Sequence, residues 1–264
     1  MDPRPDHGET SYRGAGRLAG RRALITGGDS GFGRAIAIAY AREGADVAIN
    51  YLPVEESDAR EVVALIRKEG RKAVAIPGDL RDERFCERLV ATAVRELGGL
   101  DILVNNAGRQ KAVRTLGELT TEDFDWTMKT NVYAPFWVTK AALPHMAEGA
   151  AIIITSSIAG QIGSALFFDY SQTKAANIAF AQSLAKQLAP RGIRVNAVAP
   201  GPYWTPLQIS GGQTPERVPN FGATTAYGRP GQPAEIASLY VQLAADDDSF
   251  TSGMTYNTNG GGYV

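Results

Sequence analysis

Apolar residues in this chain follow two rhythms. Six short stretches, at 23–26, 47–51, 73–76, 102–105, 151–155 and 195–199, are rich in Val, Ile or Ala on consecutive positions. A strand buried on both faces has this pattern, and a sheet of such strands is parallel. Between them, segments at 31–43, 55–69, 82–97, 121–147, 169–190 and 233–245 carry apolar positions at helical spacing. Gly44, Gly70, Gly98 and Gly192 sit just past four of these segments, where a left-handed C-cap favours glycine. Thr121, Glu122 and Asp123 open another with residues suited to a helix N-terminus. Strict alternation of strand and helix predicts an α/β fold, a single doubly wound parallel sheet flanked by helices. Crossovers in such a sheet are right-handed, and ligands bind beyond the carboxyl ends of its strands. The loops that follow the strands are therefore where chemistry is expected.

Two regions break the rhythm. Residues 1–20 are polar and rich in Gly and Pro, and read as an exposed arm, either loose or packed on a neighbouring subunit. Residues 21–264 then form one domain. Within it, Pro200, Pro202, Pro206, Pro215, Pro219, Pro230 and Pro233 mark a long irregular segment. Such a segment inside a compact domain is commonly a functional lid, and a substrate loop is expected at about 202–232. Composition removes several classes of function. The 27 basic and 28 acidic residues leave a net charge of −1, without the basic footprint of a nucleic-acid-binding protein. The one cysteine, Cys86, permits no internal disulfide and no Cys-based zinc site. The two histidines, His7 and His145, are too few for a His-ligated metal, and no metal is expected. A reducing cytoplasm suits such a chain. No run approaches the roughly 18 apolar residues of a membrane helix, and the first twenty residues hold no apolar targeting core.

The segment Thr26-Gly27-Gly28-Asp29-Ser30-Gly31-Phe32-Gly33 joins the first strand to the first helix. Glycines there let the backbone approach a pyrophosphate, and the helix N-terminus offers free N–H groups to it. The spacing Gly-x-x-x-Gly-x-Gly differs from the Gly-x-Gly-x-x-Gly of long-chain dehydrogenases. Further motifs follow: Asn105-Asn106-Ala107-Gly108 after the fourth strand, Tyr170-x-x-x-Lys174 beyond the fifth, and Pro200-Gly201 after the sixth. In this order, across about residues 20–262, they resemble the classical short-chain dehydrogenases/reductases, oxidoreductases of Rossmann fold. Residues 29–56 are also similar to a bacterial branch often labelled aldehyde reductase or glucose/ribitol dehydrogenase-like.

The resemblance implies reversible hydride transfer between a nicotinamide cofactor and a small carbonyl or alcohol substrate, in a chain that is commonly a homotetramer or dimer. It makes Ser157, thirteen residues before Tyr170, the hydrogen-bond donor to the carbonyl oxygen. Tyr170 becomes the acid or base, Lys174 its cationic neighbour, and Asn131 the holder of a water that extends the proton path. Ser156 is the competing hydroxyl, and Asn131 could instead be a helix residue bonded to backbone. Tyr170 and Lys174 lie one helical turn apart. A cation about 5 Å from a phenolate, at an effective dielectric of about 20, contributes about 3 kcal/mol. That alone would draw the phenol well down toward neutral pH.

For the cofactor, the resemblance implies Gly27, Asp29, Ser30, Gly31, Phe32 and Gly33 at the first loop, and Asn50 and Tyr51 at the end of the second strand. It adds Asp79 and Leu80 beside the adenine, and Asn105, Ala107 and Gly108 near the ribose. Tyr170 and Lys174 complete the set with Pro200, Gly201, Tyr203 and Thr205 near the nicotinamide and pyrophosphate. Asp79 could instead be a turn aspartate. Pro202 removes a backbone donor, and Asn259 stands where an aspartate is common. An acid at the end of the second strand would bind the ribose 2′-hydroxyl and repel a 2′-phosphate. Asn50 and Tyr51 provide none there, which favours NADP(H) slightly, with NAD(H) the alternative. Tyr203, Trp204, Phe221, Tyr227, Phe167 and Phe168 could line a substrate pocket or belong to the core. None is charged, which points to a neutral carbonyl or alcohol. The alternatives are a 3-oxoacyl-carrier-protein reductase, a sugar or polyol dehydrogenase and, more distantly, a non-catalytic dinucleotide sensor.

Overall fold

All six predicted strands form, and a seventh joins them. The computed structural model describes residues 1–213 and 216–262; Thr214 and Pro215 of the expected substrate loop, and the final Tyr263 and Val264, lie outside the described residues. The strands are β1 (Arg22–Thr26), β2 (Asp46–Tyr51), β3 (Ala73–Pro77), β4 (Ile102–Asn105), β5 (Ala151–Thr155), β6 (Arg194–Pro200) and β7 (Thr255–Thr258). They lie in the order β3-β2-β1-β4-β5-β6-β7, and every neighbouring pair is parallel. The chain reverses its direction of build between β1 and β4, the switch point at which such sheets open a crevice. The register pairs Thr26 with Asn50, Tyr51 with Pro77, Asn105 with Ile154 and Thr155 with Val198, so the carboxyl ends share one edge.

The helices are α1 (Gly31–Arg42), α2 (Glu56–Lys68), α3 (Glu83–Leu97), α4 (Thr121–Met128), α5 (Ala134–Ala142), α6 (Ala159–Ile162), α7 (Phe168–Leu188) and α8 (Pro233–Ala244). Because side chains alternate across a strand, strands β1 to β6 each feed two cores. Ile25 and Ile49 join Ile36, Val62 and Tyr240 under α1, α2 and α8. Leu24, Leu103 and Ile152 join Leu89, Val138 and Leu184 under α3, α5 and α7. Each fully buried aliphatic side chain contributes about 1.5–3 kcal/mol relative to exposure. Gly44, Gly70, Gly98 and Gly192 all take positive φ, between +66° and +94°.

The single helix expected over 121–147 is interrupted. A wide π turn at Lys129–Tyr133 separates α4 from α5, and a short turn at Leu143–His145 ends the run. Pro135 explains the interruption: it has no N–H to return to the carbonyl four residues back, at Asn131, and its ring crowds that carbonyl. The N-cap is Thr120 rather than Thr121, its hydroxyl accepting the Asp123 N–H at 3.1 Å.

Residues 1–20, expected as an exposed arm, lie against the chain's own domain. Arg42 donates to the carbonyls of Gly8, Tyr12 and Glu9 at 2.6, 2.6 and 2.7 Å. The Glu43 carboxylate accepts the Tyr12 hydroxyl at 2.5 Å and the N–H groups of Ala15 and Arg17 at 2.9 Å. Leu18 is fully buried. A polar segment of this kind binds through its backbone, and the charged end of α1 supplies the partners. Among the described residues, no helix is long and apolar enough to cross a membrane.

Candidate active site

The carboxyl ends of the strands open into a cleft of about 1060 Å³. Its floor near β1 is held by short polar ties. The Thr26 hydroxyl accepts the N–H groups of Asn106 at 2.9 Å and Ala107 at 3.1 Å. The Asn106 amide donates to the carbonyls of Thr26 and Gly27, both at 3.1 Å. Two side chains, Thr26 and Asn106, therefore fasten the loop after β4 to the loop after β1. Glycine is required where these loops meet. A Cβ on Gly33 would lie 1.8 Å from the Gly27 carbonyl oxygen, and one on Gly28 would lie 2.5 Å from the Ile49 side chain.

The catalytic candidates converge on the wall formed by β5 and α7. Lys174 reaches across to β5 and donates to the Thr155 carbonyl at 2.8 Å, with its nitrogen 5.4 Å from the centre of the Tyr170 ring. Ser156 and Ser157 point to different tasks. Ser156 is buried and donates to the Lys174 carbonyl at 2.7 Å, which ties β5 to α7. Ser157 faces the cleft, accepts the Ala159 N–H at 3.1 Å and contacts the Tyr170 hydroxyl. Burial pushes the Tyr170 hydroxyl up to about 12, against the opposing contact with Ser157, and brings the Lys174 ammonium down to about 8. The expectation of a phenol drawn toward neutral pH counted the attraction of the pair alone. Both groups are almost wholly buried, at 8% and 3% exposed, and desolvation favours the neutral form of each. Burial therefore favours the protonated phenol of Tyr170 and loosens the hold of Lys174 on its proton.

Most of the expected cofactor residues line the cleft together: Gly27, Asp29, Ser30, Gly31, Phe32, Asn50, Tyr51, Asp79, Leu80, Ala107, Gly108, Pro200, Gly201, Tyr203 and Thr205, along with Tyr170 and Lys174. Three expected residues stand behind it. Gly33 packs α1 onto the first loop. Asn105 turns away to donate to the Thr139 hydroxyl at 3.0 Å, and its neighbour Asn106 lines the cleft instead. Asn131 sits in the π turn, fully buried, accepting the Arg109 N–H and donating to the Arg109 carbonyl, both at 2.8 Å, and to Thr173 at 3.0 Å. Asp79 makes a turn contact with the Arg81 N–H at 2.9 Å and pairs with its guanidinium, which holds the carboxyl below its ordinary value.

At the substrate end, Phe167, Tyr203 and Phe221 line the cleft, whereas Trp204 is buried behind it and Phe168 and Tyr227 are exposed outside it. The expectation of an uncharged lining needs correction, because Arg81, Arg109, Lys111 and Arg217 also line the cleft, Arg81 and Arg109 both stacked on Trp126. Arg109 and Lys111 approach from the loop after β4, which sequence spacing did not place here. Both are paired with Asp123, at 2.8 and 2.5 Å.

A family model described as enoyl-(acyl carrier protein) reductase matches residues 27–262. The chain is 57% identical over 264 residues to the uncharacterized oxidoreductase YhxD of Bacillus subtilis, covering 99% of this chain and 88% of that protein. It is 42% identical to the glucose and ribitol dehydrogenase of Daucus carota, covering 100% of this chain and 92% of the relative. A solved short-chain dehydrogenase from Burkholderia cenocepacia, in complex with NADP, superposes with a TM-score of 0.86 at 37% identity, covering 93% of this chain and 98% of that one. The chain belongs to the classical short-chain dehydrogenases/reductases.

In this short-chain dehydrogenase/reductase the cleft fits a nicotinamide dinucleotide. Ser30, the residue that precedes α1, places no side-chain cap on the helix. The first N–H groups of α1 are thus left for an anion beside a glycine loop whose Gly27 and Gly31 take φ of +62° and +49°. The ribose end has one feature absent from the reading of β2. Gly28 bonds to the Asn50 carbonyl at 2.9 Å, which brings Asp29 alongside the end of that strand. Asp29 is 3% exposed, and burial together with the charge of Glu55 pushes its carboxyl up to about 6. The Asn50 amide is already committed to the carbonyls of Ile76 and Gly78, and the Tyr51 hydroxyl to Glu56 at 2.5 Å. The glycine loop thus adds Asp29 to the acids near this strand end, where Glu55 also lines the cleft and Glu56 is bonded to Tyr51.

Proposed function

We propose that this NAD(P)-dependent oxidoreductase interconverts a small aldehyde or ketone and the corresponding alcohol through a Ser157–Tyr170–Lys174 proton relay. One observation carries the reading: Ser157, Tyr170 and Lys174 meet on one wall of a cleft that the glycine loop also opens into, with the Lys174 nitrogen 5.4 Å from the centre of the Tyr170 ring. When bound, the nicotinamide supplies or accepts the hydride. In the reducing direction Ser157 donates a hydrogen bond to the carbonyl oxygen and favours the charge that develops there. Tyr170 delivers its proton to that oxygen. Lys174 stabilises the phenolate left behind, since an ammonium in a dry site interacts strongly with a buried anion. Ser156 and Asn131 hold α7 and the π turn in place by their backbone bonds.

The relatives support the cofactor and the substrate class. A chloroplastic aldehyde reductase of Arabidopsis thaliana, 41% identical and covering 100% of this chain and 93% of that protein, is described as NADPH-dependent. That description supports NADP(H), with NAD(H) as the alternative, which the Asp29 carboxyl beside β2 favours. A sugar or polyol is the second reading, favoured by the polar side chains Gln110, Ser164, Gln208, Ser210 and Gln213 at the substrate end. The protein acts as a homo-oligomer, a tetramer or dimer: Trp126, Tyr133 and Phe136 near α4 and α5, and Phe168 on α7, are more than 40% exposed. It works in the cytoplasm, where the buried thiol of Cys86 stays reduced.

Nicotinamide absorbance followed with NADPH and NADH, against small aldehydes, ketones and 3-oxoacyl thioesters, tests the reading. Sugars and polyols with the oxidised cofactors complete the panel. Turnover that disappears in Tyr170→Phe is expected. Turnover that survives in Tyr170→Phe at the parent rate would overturn the relay.

A further inference from the structure

The expected substrate loop leaves and rejoins the fold through two stems, at residues 200–205 and 230–233, and these bond to each other. Trp204 donates its backbone N–H to the Gly231 carbonyl at 2.8 Å, and Gly231 donates to the Pro202 carbonyl at 3.0 Å. The N-terminal arm reaches both stems. The Trp204 indole N–H donates to the Pro3 carbonyl at 2.8 Å. Three residues further on, Asp6 donates its N–H to the Gln232 side chain at 3.0 Å and accepts the Ala234 N–H at 2.9 Å.

The arm is itself moored to the other half of the molecule. The nearly buried guanidinium of Arg34, on α1, binds Glu9 of the arm at 3.1 Å and Glu61 of α2 at 3.0 Å. Arg42 holds the carbonyls of Gly8, Glu9 and Tyr12. A single segment therefore links the helices behind the cofactor loops to both stems of the substrate loop. Among the described residues, none of 1–20 lines the cleft. The arm can act on substrate only through what it holds; at the stems it holds the side chains of Gln232 and Trp204, and Trp204 is the one of the two that packs toward the cleft lining. Trp204 lies 6.3 Å from Phe221, ring centre to ring centre, and Phe221 faces the cleft. Its neighbour Tyr203 also faces the cleft, edge-on to Phe32 of the cofactor loop at 5.1 Å.

We propose that residues 3–9 are a strap that fixes the substrate loop against the cofactor half, and that Trp204 is the positioning residue through which the strap sets the aromatic wall at Tyr203 and Phe221. Trp204 does not itself touch substrate. The loop is soft by composition, and a hydrogen bond at its stem orders the wall before substrate arrives, which lowers the cost of binding. The inference rests on the carbonyl-reductase reading for its kinetic readout, but not for its structural one.

The test uses the full chain with Trp204→Phe, which keeps an aromatic body and removes the indole donor, and the double variant Trp204→Phe/Gln232→Ala. Amide hydrogen exchange across 206–213 and 216–229 reports the strap, and KM against kcat for a turned-over carbonyl reports the positioning. Expected is faster exchange in the loop and a KM raised about fivefold, the order of one ordinary hydrogen bond, with kcat within about twofold. Cofactor affinity by fluorescence should be unchanged, and the double variant should show the larger effect. Loop exchange that stays at the parent rate in both variants overturns the strap, whatever the activity. Faster exchange with an unchanged KM overturns the positioning role. Absence of turnover for every carbonyl in the parent would defeat the reductase reading and leave the exchange result to decide the strap.

Discussion

At the β1 end of the cleft, four hydrogen bonds of 2.9 to 3.1 Å join Thr26 and Gly27 to Asn106 and Ala107, and glycines stand where a Cβ would strike the Gly27 carbonyl or the Ile49 side chain. At the substrate end, Gln110 reaches the Leu207 carbonyl at 3.4 Å and Gln213 meets Gln208 at 3.5 Å. Gly222 turns at φ +79°, and Ile209 and Tyr227 stand exposed. The first half is fixed by bonds between strand ends that the sheet already places side by side. The second is held at its two stems by Pro3 and Asp6 and along its length by single backbone bonds from other segments, Ala112 to Gly211 at 3.1 Å and Ala226 to Gly260 at 2.9 Å. On the proposed reading, the half that would serve any nicotinamide cofactor is the rigid one, and the half that would select a substrate is the adjustable one. Substitutions in the two halves should differ accordingly.

The largest effect belongs between the halves. Tyr170→Phe should lower kcat by about 10²–10⁴ while nicotinamide binding, followed by fluorescence, is retained. A loss of binding instead would place Tyr170 among the residues that hold the cofactor rather than those that move the proton. The rigid half should be the more fragile to added volume. Gly33→Ala brings a methyl against the Gly27 carbonyl oxygen, and a loss of about 3 kcal/mol in urea unfolding is expected, with weakened dinucleotide binding. A stability within 0.5 kcal/mol of the parent would show that the loop yields as readily as the substrate side.

Asp29→Asn should act in the opposite direction. The folded-state pKa of Asp29 is raised to about 6 from an ordinary 3.8, so the folded chain binds more protons between those values. The cost of burying the charge is present above pH 6 and disappears as pH falls toward 3.8. Neutralising Asp29 should therefore stabilise the protein by about 1–3 kcal/mol at pH 7.5 and by little at pH 4. The same change should improve NADPH binding relative to NADH, because a 2′-phosphate would no longer face a carboxylate. Unfolding curves at the two pH values and a pair of titrations check both parts. The smallest effect is expected in the adjustable half. Gln213→Ala should move stability by less than about 0.5 kcal/mol, with its consequence confined to KM for the substrate. A kcat change of tenfold there would mean that the substrate loop takes part in chemistry.

The alternation of apolar runs and helical segments was enough to predict the sheet and its helices, because a strand covered on both faces has few other ways to bury such a run. The motifs at the strand ends were legible for the same reason, since glycine and paired Asn residues fit few other backbone positions. Asn106 was missed as a lining residue in favour of Asn105. A period of two shows that neighbours face opposite ways, and not which one faces the cleft. The break at the π turn was marked by Pro135, a visible signal whose consequence for Asn131 needed the helix geometry. Asp29 was legible as a loop residue, but its place beside β2 depends on the Gly28–Asn50 bond between segments more than twenty residues apart.

What the sequence by itself determined is the order of elements, the glycine loop and the Tyr170–Lys174 spacing, all of them consequences of local geometry and of which residues tolerate burial or positive φ. Tertiary structure alone decided the rest. Ser156 was separated from Ser157, Arg109 and Lys111 were brought into the lining of the cleft, the arm was laid across both stems of the loop, and Tyr170 and Lys174 were set deep enough for desolvation to outweigh their mutual attraction. Each depends on which distant atoms exclude water from a given side chain, and that exclusion exists only once the chain has closed around it.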